Sequence, residues 1–344
     1  MKLNYSPFLI LLLVTFVGFA LFPSCKKEVR EVEKLRVDTV TKRDTVIKRD
    51  TIKQIDTLII TIRHDTTIIK HDTVIVKPTW PQSPIRPIVA GSSPYVTTLF
   101  EFMPAPGQFI NTGLGDQIAA AGTLKNDQGL VSLGAWGGYI IIGFDHTVLD
   151  VPNKTDFIVY GNAFSSFSEP GVIWVMQDKN GNGKPDDTWY EIEGSASHMD
   201  GYVRNYAVTY TRPACDTCSV PWKDNMGKAG VVQTNMFHLQ AYYPLTVAAN
   251  SYTLYGSLLP STHINDDDPT YITSASYDYG YGDNTLGGDK IDIATAIDSK
   301  GKRVRLKGGI DFIKVQTGIL YNMGWLGEQS TEFGGAADLS MLKN

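Results

Sequence analysis

The chain has little of what marks most enzyme families. Its 344 residues include only three cysteines and six histidines. The histidines, at 64, 71, 146, 198, 238 and 263, show no His-Glu-x-x-His or other zinc-ligand spacing, so the pattern excludes a zinc protease. No Gly-x-Ser-x-Gly elbow and no phosphate-cradling glycine loop occurs, which removes two further signatures. His146, in Phe144-Asp-His146 at the end of an apolar run, reads as a hydrogen-bonded structural residue. Cys215 and Cys218 form a Cys-x-x-Cys with no second pair to complete a zinc site. Proline lies on both sides of the pair, which does not suit a redox motif that opens a helix. In an exported chain the pair reads as a local disulfide stapling a loop.

Long helical patterns are also missing. One short segment, 116–124, reads as a helix. Strand signals then follow at close spacing, separated by Gly, Pro, Asn and Asp. Tyr139-Ile-Ile-Ile-Gly-Phe144 is apolar on both faces, as a central strand would be. Residues 156–160, 172–176, 189–192, 206–210 and 311–315 follow the same grammar. Many short strands with turn-rich joints predict an all-β body, an antiparallel sandwich or jelly roll with few short helices.

Charge is uneven. Residues 26–77 carry thirteen Lys/Arg against nine Asp/Glu, whereas from Pro78 onward there are seventeen against twenty-seven. An acidic body does not suit nucleic acid as a partner. The basic segment suits an anionic membrane surface. Within it Asp-Thr recurs at 38, 44, 50, 56, 65 and 72, usually followed by a β-branched residue or Leu. The commonest period is six, a multiple of two, so equivalent side chains keep to one face of an extended chain. Residues 25–77 therefore read as a stalk, extended or weakly β-paired, and 78–94 as a stiff proline-rich linker. The body is expected over 95–344. Ahead of the stalk, Lys2, an apolar run over 8–22 and Ser24-Cys25 read as a signal peptide over 1–24. The small residue before Cys25 resembles a bacterial lipobox, which implies acylation of Cys25 and anchorage in an outer-membrane bilayer.

One polar stretch points to a metal. Asp178-Lys-Asn-Gly-Asn-Gly-Lys-Pro-Asp-Asp187 places oxygen side chains at Asp178, Asn180 and Asn182 and a glycine at its sixth position, Gly183. Alternate residues of a tight loop can aim six to eight oxygens at Ca²⁺. Lys184 would add its backbone carbonyl, and Asp186, Asp187 and Glu191 are the carboxylates available to complete the set. Trp189 stands where an EF-hand has its bidentate Glu. Asn-Gly also occurs twice, so a plain hairpin turn is the competing reading.

Aromatic side chains are in surplus within Gly- and Asp-rich segments. Tyr242, Tyr243, Tyr277, Tyr279, Tyr281 and Trp325 are the candidates for a ligand site on loops, where flat rings supply apolar area at little entropic cost. Covering the ends of a sandwich is the alternative role. Acidic residues are plentiful, and a glycosidase needs only two facing carboxylates, which have no fixed spacing.

Several motifs carry a resemblance. Phe102-Met-Pro-Ala-Pro-Gly-Gln-Phe-Ile-Asn111, Ser132-Leu-Gly-Ala-Trp-Gly-Gly138, Gly143-Phe-Asp-His146 and Tyr160-Gly-Asn-Ala-Phe164 are similar to a family of bacterial outer-membrane surface lipoproteins. The similarity continues through Ser168-Glu-Pro-Gly-Val-Ile-Trp-Val-Met-Gln-Asp178, Thr188-Trp-Tyr-Glu191, Phe312-Ile-Lys-Val315 and Gly324-Trp-Leu-Gly-Glu-Gln-Ser-Thr-Glu332. Members are labelled only "cell surface protein" and often lie beside TonB-dependent receptors in corrinoid-type uptake loci. The resemblance implies a surface address and a TonB-dependent receptor as partner, and brings no catalytic motif. The functional expectation is a non-catalytic protein that captures a corrinoid or a glycan. A carbohydrate-active enzyme and a structural surface protein that binds another protein are the alternatives.

Overall fold

The computed structural model describes residues 45–46, 58–62, 72–76 and 84–342. The signal segment, Cys25 and most of the Asp-Thr repeat lie outside them. The chain forms two compact units, Met1–Pro81 and Gln82–Asn344. In the first, Thr45–Val46, Leu58–Ile62 and Asp72–Val76 make one antiparallel sheet in that order. Their β-branched residues suit a pleated surface and disfavour helix.

The second unit is all-β and antiparallel. Its seven-stranded sheet runs Ala296–Ile297, Trp189–Ile192, Gly171–Met176, Ile310–Thr317, Tyr139–Val148 and Thr98–Met103, with Tyr281–Gly282 pairing on Gly171–Met176. Side chains alternate between faces along each strand. Ile140, Ile142, Ile173, Val175, Ile192, Ile313 and Val315 all fall on one face. There they pack with Phe157, Val159, Ile291 and Ala336 from a three-stranded sheet of Asp289–Ile291, Phe157–Tyr160 and Gly335–Asp338. Each such Ile, Val or Phe side chain contributes about 1.5–3 kcal/mol on burial.

The other face is mixed. A four-stranded sheet, ordered Ala229–Val232, Val220–Asp224, Val203–Thr211 and Ser251–Leu258, shares a second core with Met103, Tyr139 and the buried Trp136. Gly256 permits the approach, since a Cβ there would fall 2.8 Å from Gln316 Cδ. The only α-helix among the described residues, Gln117–Gly122, starts at Asp116, whose carboxylate accepts from Ile118 N and Ala119 N.

His146 is fully buried, with Nδ1 2.7 Å from Asp145 Oδ1 and Nε2 3.0 Å from Asp338 Oδ2. This is a structural placement. Burial disfavours the charged ring, but the hydrogen bonds and charges of Asp338 and Asp145 outweigh it and raise the pKa above 6.5. A raised folded-state pKa adds stability that is complete below the unfolded value and lost as pH rises through the folded one. Thermal melts should therefore show a fall across that rise in pH. His146→Gln should remove this step, and an unchanged profile in that variant would contradict the assignment.

Candidate functional site

The loop 178–187 is a tight turn closed by its own side chains. Asp178 is buried, and its backbone N donates to Asp311 Oδ2 at 2.7 Å, which ties the loop to the central strand. Its carboxylate accepts from Asn182 N at 3.1 Å and Gly183 N at 2.8 Å. Gly181 and Gly183, both at φ +71°, supply the left-handed turns that L side chains rarely adopt. Asn180 Nδ2 and Asn182 Nδ2 donate to the two oxygens of Asp186, at 3.0 and 2.9 Å. These bonds, Asn182 first, hold the Asp186 carboxyl below its ordinary pKa. Asn180 and Asn182 thus meet at Asp186, while Asp178 holds the backbone of Asn182 and Gly183. Lys184 O accepts from Asp186 N, and Asp187 turns back to accept from Lys179 N.

Glu191 does not join them. It lies 3% exposed beneath Tyr202 and Ser257, whose hydroxyls both donate to it, at 2.6 Å for Ser257. The reason is strand geometry: Glu191 pairs with Trp174 and faces the second sheet, away from the loop. The expectation that it completes a calcium set is corrected.

The aromatic loops also need correction. Tyr242 and Tyr243 belong to the core between the sheets, and Tyr277 and Tyr281 to a smaller core beside Gly171–Met176. Each ring is buried while its hydroxyl finds a backbone partner: Asn235 N, Ala249 O, Pro260 O and Ala196 N respectively. A phenol hides its ring and still satisfies its polar end. Only Tyr279 and Trp325 of the six are exposed, at 53% and 52%. Trp325 Nε1 donates to Pro269 O at 2.8 Å. Cys215 and Cys218 form a disulfide in an exposed turn.

A different constellation appears on the mixed face of the large sheet. Glu101 pairs with Ile141, Ile141 with Lys314, Lys314 with Trp174, and Trp174 with Glu191. Directly paired residues share a face, so these five side chains form one row across five strands. Lys314 is the centre. Its Nζ lies 4.5 Å from the Tyr139 ring centroid and 5.6 Å from that of Trp174, both within cation–π reach. Tyr139 Oη donates to Glu101 Oε1 at 2.7 Å. At the far end Arg204 stacks over Tyr202, 5.0 Å from its centroid.

The electrostatics match this geometry. Desolvation lowers the Lys314 pKa to about 8, although Glu101 and Glu191 pull the other way. Desolvation raises Glu191, against the hydrogen bonds of Ser257 and Tyr202 and the charge of Arg204. Trp174 Nε1, Arg204 Nε and Nη2, and Gln316 Oε1 are buried without hydrogen-bond partners. Orphaned polar groups of this kind are rare in native structures and costly. Glu101, Tyr139, Trp174, Tyr202, Arg204 and Lys314 are each half-buried as whole residues, although Trp174 Nε1 and those two Arg204 nitrogens are closed off from solvent. Sequence reasoning missed all six as a site. The available signal was a lysine inside the strand Ile310–Thr317, between apolar neighbours on both sides.

No model of a known protein family matches the chain, and no curated protein matches it.

Proposed function

We propose that this protein is a lipid-anchored surface protein whose β-sandwich body binds a hydroxyl-rich carbohydrate on the Lys314 face, for transfer to a TonB-dependent receptor. The observation that carries the reading is the row Glu101–Ile141–Lys314–Trp174–Glu191, with one ring, two carboxylates and an ammonium, and with the Tyr139 ring beside Lys314. Sugar rings lay apolar faces on indole and phenol rings. Their hydroxyls suit ionised donors and acceptors, which make the stronger hydrogen bonds. The unpartnered Trp174 Nε1 is a donor that a ligand oxygen would satisfy. The apolar run ending in Ser24-Cys25, the Asp-Thr repeat and the resemblance to surface lipoproteins support the address. Within the family context a corrinoid is the competing ligand.

The perturbed Glu191 and Lys314 also suit general acid–base chemistry, since such shifts gather at functional sites. Calorimetry of the full-length chain against an oligosaccharide panel and cobalamin, with product analysis, tests the reading. Saccharide binding without products is the expected result. Turnover would make the protein a carbohydrate-active enzyme. Binding of cobalamin alone, or silence across the panel, would overturn the carbohydrate reading.

In this reading Ca²⁺ occupies the 178–187 loop in a structural role. Two neutral amides among the oxygens suggest a Kd on the order of 10⁻⁴ M. At millimolar Ca²⁺ the folded form then gains about 1.4 kcal/mol, equivalent to roughly 3–6 °C in melting temperature. A melt in chelator should fall by that amount, and Asp186→Ala should lose the response. A melt indifferent to chelator would remove calcium from this loop.

A further inference from the structure

Glu169, Asp283 and Glu332 come from three distant parts of the chain, yet their carboxylates converge. One oxygen of each lies within 4.8 Å of one oxygen of both others. Asp283 and Glu332 are buried and Glu169 is half-buried. The surrounding fold builds this meeting deliberately. Asp283 takes a left-handed backbone, φ 54°, and its two oxygens accept from Asn162 N at 2.8 Å and Glu332 N at 2.9 Å. Glycine is required beside it, since a Cβ on Gly161 would fall 2.8 Å from Asp283 Cα. Glu169 Oε1 accepts from Ser330 N at 3.0 Å, and Glu332 Oε1 from Ser330 Oγ at 2.8 Å.

All of these donors are neutral. None of the salt bridges among the described residues includes any of the three carboxylates. Glu332 Oε2, on a residue 5% exposed, has no hydrogen-bond partner. A buried carboxylate oxygen with no partner, inside a cluster of like charges, calls for neutralisation, by a bound cation or by a proton shared between carboxyls.

We propose that Glu169, Asp283 and Glu332 form a buried site for one Ca²⁺ ion, separate from the exposed 178–187 loop. Two oxygens bound to one Ca²⁺ at 2.3–2.6 Å stand at most about 4.6–5.2 Å apart, which matches the spacing found here. An all-oxygen donor set selects a hard cation over zinc or copper. Mg²⁺ sheds its waters reluctantly, so a buried site of this kind suits Ca²⁺ better. The hydroxyl of Ser330, already on Glu332, is a further oxygen at hand. Three carboxylates and no amide, against two carboxylates and two amides in the exposed loop, predict the tighter binding. The site rests on neither the carbohydrate reading nor the loop.

The test is metal content by mass spectrometry on the full-length chain, loaded with Ca²⁺ and passed through gel filtration in metal-free buffer. About one Ca²⁺ per chain should survive, because the weaker loop site empties under these conditions. Asp186→Ala, which disables the loop, should keep that ion, and Glu332→Gln should lose it. Retention of the ion in a folded Glu332→Gln variant would overturn the proposal. So would a wild-type chain that emerges metal-free, because shared protons would then hold the carboxylates together. Should Glu332→Gln fail to fold, Glu169→Gln, at the half-buried position, takes its place with the same expectation. Anomalous diffraction from wild-type crystals soaked in Mn²⁺ is the independent check: a peak between the three carboxylates supports the site, and no peak there contradicts it.

Discussion

Replacing Trp136 with alanine should lower the stability of the body by about 3–5 kcal/mol, the largest effect expected of a single truncation here. Trp136 is fully buried where the four-stranded sheet meets the large one. Its ring meets Tyr206 edge-on with centroids 4.8 Å apart, and its Nε1 donates to Ser257 O at 3.3 Å. Truncation removes that packing and leaves a cavity that two hydrogen-bonded sheets cannot readily collapse to fill. Urea denaturation followed by circular dichroism gives the value. Trp325→Ala is the control, since a half-exposed indole on a loop should change stability by only about 0.5 kcal/mol. A Trp136→Ala loss as small as that of Trp325→Ala would mean the sheets are not packed through this residue.

Lys314→Met should separate stability from binding. The lysine sits half-buried over two rings, and among the described residues its Nζ makes no hydrogen bond or salt bridge below 4 Å. An apolar stem of similar length can replace such a charge at no loss, with a gain of about 1 kcal/mol. Ligand affinity should fall by about 10–100-fold, the worth of a charge-assisted hydrogen bond. The pH dependence follows from the same group. Its folded-state pKa, about 8, lies below the ordinary 10.5. Between these values the unfolded chain holds a proton that the folded chain has released. Stability therefore rises with pH across that window, while affinity that depends on the ammonium falls. Lys314→Met should flatten both profiles. A variant that loses stability but keeps affinity would reverse the role assigned to this residue.

The strands were legible because alternation and turn residues are local. The segment 189–192 matches its strand end to end, and 156–160, 172–176, 206–210 and 311–315 differ by a few residues. The helix expected over 116–124 is Gln117–Gly122, with Asp116 as its cap. The turns of the loop 178–187 were legible for the same reason, its two glycines being set by short spacing. Register between strands is not local. Glu101 and Glu191 lie 90 residues apart in the chain, and only the pairing of five strands sets them in one row with Lys314. Asp278 and Gly280 after Tyr277 signalled a bend correctly, Pro244 marked the chain after Tyr242 and Tyr243, and Tyr281 opens the short strand Tyr281–Gly282. These signals carried no information on whether each ring pointed to water or to the core, and a phenol satisfied by one backbone partner is free to point inward. Glu191 was misplaced because sequence proximity to the loop outweighed strand alternation, which turns it to the opposite side.

The most direct measurement compares the affinity of Trp174→Ala and Trp325→Ala with that of the unaltered full-length chain, by calorimetry, for the tightest-binding oligosaccharide in the panel. Trp174 sits in the row beside Lys314, whereas Trp325 stands on an exposed loop. Loss of a stacking ring from a binding site weakens affinity by about 10–100-fold, and that is the result expected for Trp174→Ala, with Trp325→Ala unchanged. Undiminished affinity in Trp174→Ala together with a loss in Trp325→Ala would place the ligand on the loops and contradict the site on the sheet.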